Sequence, residues 1–331
     1  MGPSRAGGIL WAMLLGALDL GSNSFHLLVA RIGRRGEVEK VAGQKSMLRL
    51  EEAVAATGRI PPEAFERALE AVGELAAAAR RHGATRVVAA GTSALRDAEN
   101  GARFAEVASL RYGVDVQILS GEDEGRLVYA GARFRGGELP ERVGVIDLGG
   151  GSAEIAIGDG EDCRFAHSLP LGFLRLARDL DVHGALDDDR LGRVTEHVMQ
   201  TAATIRATVR ELAPRAWLLS GGTARALGGL VGSQPGAAIS TRALHRLTER
   251  FARSEPSSLI GLGVEPPRAR GFGLGALVLA LISEELGAPA VRITPGGLRE
   301  GLLLRAIGGR STRHARVHLH DAGRLARPPA G

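Results

Sequence analysis

The sequence predicts an α/β chain made of two related halves, and three observations carry this. An apolar strand running into Asp19 ends at the turn Gly21-Ser22-Asn23-Ser24, and another running into Asp147 ends at Gly149-Gly150-Gly151-Ser152. Each turn is followed by two more strand-like runs, at 24–32 and 37–41 and again at 153–158 and 162–168, a repetition best accounted for by internal duplication. Outside these meanders apolar residues recur at helical spacing, which gives helices packed on mixed sheets.

Taken in order, 14–19 is an apolar strand, and Arg34-Arg35-Gly36 turns the second strand into the third. Residues 42–60 are mixed, with Gly43 and Gly58 marking loops. Pro61-Pro62 opens a helix in which Phe65, Leu69, Val72, Leu75 and Ala79 recur as far as Gly83. A buried strand at 85–90 ends at Gly91-Thr92-Ser93-Ala94-Leu95-Arg96. A short helix over 103–112 and a strand over 114–119 follow. Ser120 then caps a helix, with Asp123 three residues on as a variant capping box. Gly136, Gly137 and Pro140 mark the crossover between halves. The second half adds helices at 172–180, 188–212, 241–253, 267–286 and 298–307, with strands at 217–219 and 291–294. The expected units are an extension at 1–12, domains at 13–135 and 136–308, and a disordered arginine-rich tail at 309–331.

Composition bounds the function. Only Lys40 and Lys45 are lysines among 42 basic residues, and a net charge of +5 would suit a nucleic-acid partner. The tail holds five arginines against Asp321, so the body is close to neutral and no specific nucleic-acid partner is expected. Cys163 is the lone cysteine, which excludes an intrachain disulfide and a cysteine metal cluster and suits a reducing cytoplasm. Arg5 followed by Ile9–Leu18 has the outline of a signal peptide, but cleavage near Ala17 would cut the first strand, and Met13 is a candidate start. No apolar run reaches the roughly 18 residues of a membrane helix.

Three glycine turns are candidate phosphate cradles: 21–24, 149–152 and 221–223. Glycine lets backbone N–H groups come close to a phosphate, and the third turn opens a helix whose N-terminus favours an anion. A lysine-bearing P-loop, a Gly-x-Ser-x-Gly elbow and a His-Glu-x-x-His helix are all missing. Asp147 and Glu154 flank the second turn, where both can face one hard cation, or Glu154 can face solvent instead. Glu122, Asp123 and Glu124 start the Ser120-capped helix. Acids there offset the helix dipole, and one of the three can instead hold an attacking water; spacing does not say which. Arg96 ends a strand–loop, either as a phosphate clamp or as an exposed helix arginine.

The motifs at 17–26, 91–96, 119–127, 146–154, 169–172, 220–223 and 297–303, in that order, resemble the exopolyphosphatase and guanosine pentaphosphate phosphohydrolase family of the acetate kinase–sugar kinase–Hsp70–actin superfamily. The resemblance implies two duplicated actin-like (ribonuclease H-like) domains, each a mixed five-stranded sheet flanked by helices, with the active site in the cleft between them. It places the water-activating glutamate at Glu124, with Arg96 beside it in catalysis as a phosphate-binding arginine. Metal-associated acids fall at Asp147, Glu154 and Asp19. Phosphate contacts fall at Gly21, Ser22, Asn23, Ser24, Thr92, Gly149, Gly150, Gly151, Ser152, Gly221, Gly222 and Thr223. The implied cofactor is Mg2+ or another divalent cation such as Mn2+, and the implied substrate is inorganic polyphosphate or guanosine pentaphosphate. Cytoplasmic location and a homodimer are compatible with it. The extra C-terminal helical domain of longer members has no counterpart, which implies a short two-domain form, and Gly125 stands where many members have alanine. A binding protein that senses such anions without turnover is the rival class; the presence of Glu124 with Asp147 and Glu154 favours the hydrolase.

Overall fold

The computed structural model describes residues 11–33, 37–232 and 236–307, so most of the expected extension and the whole of the expected tail lie outside the described residues. The first half opens with an antiparallel meander, β1 (Trp11–Leu20), β2 (Ser24–Gly33) and β3 (Val38–Met47). Then come α1 (Leu50–Thr57), α2 (Pro62–Arg81), β4 (Arg86–Gly91), α3 (Ser93–Asp97), α4 (Gly101–Tyr112), β5 (Val116–Ile118) and α5 (Gly121–Arg135). The sheet order is β3-β2-β1-β4-β5, with β4 parallel to both β1 and β5. Strand β1 is apolar from Leu14 to Leu18 because both faces of that stretch are covered. Leu18 and Leu20 point towards Leu69, Val72 and Phe104, whereas Leu15 and Ala17 join the cluster containing Val128 and Leu302.

The second half repeats the meander as β6 (Arg142–Leu148), β7 (Ala153–Asp159) and β8 (Asp162–Leu169). It continues through α6 (Phe173–Asp179), α7 (Asp188–Ala203), α8 (Arg206–Leu212), β9 (Ala216–Ser220), α9 (Gly221–Val231), β10 (Ala238–Ser240), α10 (Thr241–Ala252), α11 (Pro256–Gly261), α12 (Pro266–Glu285), β11 (Ala290–Ile293) and α13 (Leu298–Ala306). Its sheet, β10-β11-β9-β6-β7-β8, has six strands and not the five expected. The added strand is β10, three residues paired antiparallel to the edge of β11. The helix expected over 188–212 is two: the Thr204 hydroxyl donates to the Thr201 carbonyl (2.7 Å), and the chain breaks between α7 and α8. Helix α12 is buried on all sides from Phe272 to Ser283, yet no helix among the described residues is long and apolar enough to cross a membrane.

Two helices fill the space between the sheets. Helix α13 lies against β1 and β4 of the first sheet, while α5 lies against β6, β7 and β8 of the second, and the two pack on each other. Their approach is backbone to backbone. A Cβ on Gly131 would stand 2.0 Å from the Gly297 carbonyl oxygen, and one on Gly301 would stand 2.0 Å from that of Leu127. This layer sets the start of α5 over the second sheet, beside β7.

Candidate active site

Register puts the acids together. Asp147 and Glu154 are directly paired across β6 and β7, and Asp147 is also level with Ser220 at the end of β9. In the first half Asp19 is paired with His26 across β1 and β2. All of these side chains line one cleft between the halves, together with the turns 21–24, 149–152 and 221–223, Thr92 and Glu124. Of the site residues that the resemblance assigns, Arg96 alone is not part of that lining; the acids Glu122 and Asp123 beside Glu124 are not part of it either.

The turns are shaped to present amides. The N–H groups of Phe173, Leu174 and Arg175 at the start of α6 donate to the carbonyls of Gly149 and Gly150, and Gly149 N–H donates to Ser152 (2.9 Å). The amides of Gly150 and Gly151 have no acceptor among the described residues and remain available to a ligand. The first turn is held likewise: Leu48 and Arg49 N–H donate to Asn23, Glu51 N–H donates to Ser22 (3.1 Å), and Ser22 Oγ accepts from Ala94 N–H (3.1 Å). At the third turn Gly221 has φ +93°, and a Cβ there would lie 2.8 Å from the Leu148 carbonyl and 2.9 Å from Asp147 Oδ1, so only glycine fits. Thr223 is buried against Gly275 of α12, which leaves its hydroxyl close to that helix.

Glu124 sits in the first turn of α5, where Ser120 Oγ accepts from Asp123 N–H (3.1 Å) and donates to the Asp123 carboxylate (2.8 Å). Glu124 is buried, whereas Glu122 and Asp123 are exposed, and this separates the three acids that spacing left equivalent. Arg96 stands behind Glu124: its Nη1 donates to Glu124 Oε2 (2.9 Å) and to the Leu119 carbonyl (3.0 Å). In this geometry Arg96 orients the glutamate. Burial raises the Glu124 pKa well above the usual carboxylate range, the Glu154 charge raises it further, and Arg96 opposes both. A carboxylate raised in this way is a stronger proton acceptor than a free one.

A group of cations faces these acids, and sequence reasoning missed it. Arg225 of α9, Arg268 of α12 and Arg299 of α13 line the cleft half-buried, and their guanidinium groups make no hydrogen bond or ion pair among the described residues. Burial lowers the Arg225 pKa, and neighbouring Arg299 lowers it further; burial also lowers that of Arg268. His26 is driven down to about 3 by burial and by Arg299, Arg225, Arg268 and Lys45, so it is neutral. Arg225 lies one helical turn beyond Gly221, a spacing that could have flagged it; Arg268 belongs to no motif.

The acids fit a hard divalent cation. Asp147 Oδ1 is buried without a hydrogen-bond partner. Burial lifts Asp19 to about 6, and burial followed by the Asp147 charge lifts Glu154 to about 7, although Ser168 Oγ donates to Glu154 Oε1 (2.8 Å). Carboxylates held so unfavourably gain from a positive partner. Among the described residues no three acids, histidines or cysteines converge closely enough to cage a metal alone. Asp147, Glu154 and Asp19 therefore suit an ion that takes one or two carboxylates and completes its shell with water and phosphate oxygens, as Mg2+ does.

The chain is similar to known proteins over most of its length. Residues 28–308 match the profile of the Ppx/GppA phosphatase family. Exopolyphosphatase 1 of Mycobacterium tuberculosis is 34% identical over 309 residues, covering 89% of this chain and 88% of that protein. Its counterpart in Mycobacterium leprae is also 34% identical, over 89% of this chain and 90% of that one. In fold, the chain superposes on an exopolyphosphatase from Cytophaga hutchinsonii with a TM-score of 0.81 (21% identity, 90% of this chain, 99% of that one). For the Ppx/GppA family member of Aquifex aeolicus the TM-score is 0.76 (24% identity, 89% and 97%).

Proposed function

We propose that this chain, which belongs to the Ppx/GppA phosphatase family, releases the terminal phosphate of inorganic polyphosphate by attack of water. One observation carries the choice of a polyanionic substrate: Arg225, Arg268 and Arg299 crowd half-buried into the cleft, and among the described residues none of them makes an ion pair with an acid. A chain of phosphates would supply several negative charges at once, and bidentate contacts are the strong ones for guanidinium groups. The identity of the curated relatives, named exopolyphosphatases, supports the same choice.

In this reading the amides of Gly150 and Gly151 and the start of α9 bind the terminal phosphate. Arg225 and Arg299 offset the charge that builds on its oxygens. Glu124, oriented by Arg96, aligns the water and accepts its proton. Asp147 and Glu154, with Asp19 across the cleft, would hold a divalent cation, which when bound neutralises phosphate charge and favours the leaving oxygen. The 5′-triphosphate of guanosine pentaphosphate offers the same anhydride, so the test compares substrates. Purified protein with Mg2+ is given long polyphosphate, tripolyphosphate, guanosine pentaphosphate and ATP, and phosphate release is followed. Polyphosphate should have the highest kcat/KM. Preference for guanosine pentaphosphate would overturn the substrate, and tight binding with no release would leave a sensor.

A further inference from the structure

The helices that follow the two meanders, α1 and α6, occupy equivalent places in the two halves, and they meet. Glu51 is the second residue of α1 and donates its N–H to the Ser22 carbonyl of the first turn; Arg175 is the third residue of α6 and donates its N–H to the Gly150 carbonyl of the second (3.2 Å). Their side chains face each other across the boundary, Arg175 Nη2 to Glu51 Oε1 at 3.6 Å, with the Glu51 carboxylate almost wholly buried.

Arg175 does more than pair a charge. Its Nε donates to the Gly151 carbonyl (2.7 Å), while its Nη2 donates to the Asp97 carboxylate and reaches Ser93 Oγ (3.4 Å). One planar group thus ties the second phosphate turn to both ends of α3. Helix α3 is capped by Thr92 and carries Arg96, which in turn orients Glu124. The halves are in contact at this point: a Cβ on Gly151 would fall 2.3 Å from Ser93 Oγ and 2.6 Å from Glu51 Oε2. Arg178, one turn further along α6, pairs with Glu51 and Asp179 and is bonded to neither the turn nor α3.

We propose that Arg175 is a positioning residue for hydrolysis, bracing the phosphate turn of one half against the α3 segment of the other so that bound phosphate and Glu124 stay in register. The proposal rests on the hydrolase reading above. Misplacement by about 1 Å can cost on the order of a hundredfold in rate, so a brace of this kind acts on kcat more than on binding.

The test uses the full chain with Mg2+ and whichever phosphate substrate the wild type turns over, and it compares Arg175→Ala, Arg175→Lys, Arg178→Ala and Arg175→Ala/Asp97→Asn. Arg175→Ala should lower kcat at least about tenfold with KM changed less than about threefold. Lysine keeps the charge but lacks the two-pronged reach, so Arg175→Lys should recover only a small part of the loss. Adding Asp97→Asn to Arg175→Ala should cost less than about a further twofold, because the partners act as one unit. Arg178→Ala should stay within about threefold of wild type. Hydrogen exchange at 149–152 and 92–97 should quicken in folded Arg175→Ala, whether or not a substrate is turned over. Unchanged kcat, a loss that only follows the fraction folded, an equal loss in Arg178→Ala, or unchanged exchange would each overturn the proposal. Failure of the wild type to release any phosphate would sink the hydrolase reading alone, and exchange would still judge the brace.

Discussion

The same β-meander appears in both halves, yet the residues facing each other at its turn differ. In the second half Asp147 opposes Glu154; in the first, Asp19 opposes His26, whose Nε2 lies 2.8 Å from Ser24 Oγ. The helices between the sheets differ in the same sense. The start of α5 brings Glu124 to the cleft, whereas the start of α13 brings Arg299, with the Glu300 carboxylate turned back to accept from Gly297 N–H (3.1 Å). Duplication thus supplied two frames, and a few substitutions gave them different charges. Glu124 and Glu154 reach the cleft from α5 and β7, while Lys45, Arg225, Arg268 and Arg299 reach it from β3, α9, α12 and α13. Acids and guanidinium groups thus line one cleft from different elements.

The sharpest way to break this comparison is at Glu124, the buried acid of α5. Glu124→Gln keeps shape and loses the base, and turnover should fall at least about a hundredfold with KM little changed. Unchanged phosphate release would remove Glu124 from the role. Making the second half resemble the first is the next step. Glu154→His should raise the Mg2+ concentration needed for half-maximal release by about tenfold or more, because imidazole is a poor ligand for a hard cation. It should also reduce the thermal stabilisation that Mg2+ gives the substrate-free protein, a readout independent of turnover. Equal Mg2+ dependence in variant and wild type would assign the ion elsewhere.

Arg96 offers a subtler probe, because it belongs to one half and acts through the other's neighbour. Its guanidinium lowers a Glu124 pKa that burial and Glu154 raise. Removing that opposing influence leaves the folded-state pKa higher, so the base stays protonated to higher pH. Arg96→Met should therefore move the acidic limb of kcat/KM against pH towards alkaline values, and residual activity should recover partly as pH rises. A limb that stays in place, with activity simply scaled down, would mean that Arg96 contacts phosphate and does not tune the glutamate.

Much of this was legible in the sequence because the signals are local. Strands ending in Asp-Leu-Gly announce both halves, and Ser120 with Asp123 announces α5. What escaped is what local pattern does not encode. Strand β10 has three residues, too few for a period, and its pairing with β11 depends on a strand some fifty residues away. Helix α1 starts after Arg49, which is in the left-handed region at φ 52° without a glycine to flag it, so 42–60 read as mixed. The group of cleft arginines was hidden for a different reason. In a chain with forty arginines, those that matter are the ones left without a partner, and only the assembled cleft shows that.

The layer shared by the halves gives an effect on stability. Helices α5 and α13 touch through Gly131 and Gly301, where a methyl group would meet backbone and could not be turned aside. Gly131→Ala and Gly301→Ala should each cost about 1–3 kcal/mol, read as a lower denaturation midpoint at unchanged m-value. A neutral result at both would show that the helices can slide apart freely.

The smallest effect is expected at Gly125, directly after Glu124. A Cβ there would stand 3.1 Å from Ala166 Cβ of β8, tighter than ordinary contact but against a single methyl group. Alanine in place of glycine favours a helix interior by about 1 kcal/mol, and separating α5 from β8 by a few tenths of an ångström offsets part of that. Gly125→Ala should therefore change stability by less than about 1 kcal/mol and kcat by less than about threefold. A stability gain with a loss of turnover beyond about tenfold would be the informative failure. It would mean that the start of α5 tolerates no displacement from β8, and that Glu124 is held more rigidly than the glycine beside it suggests.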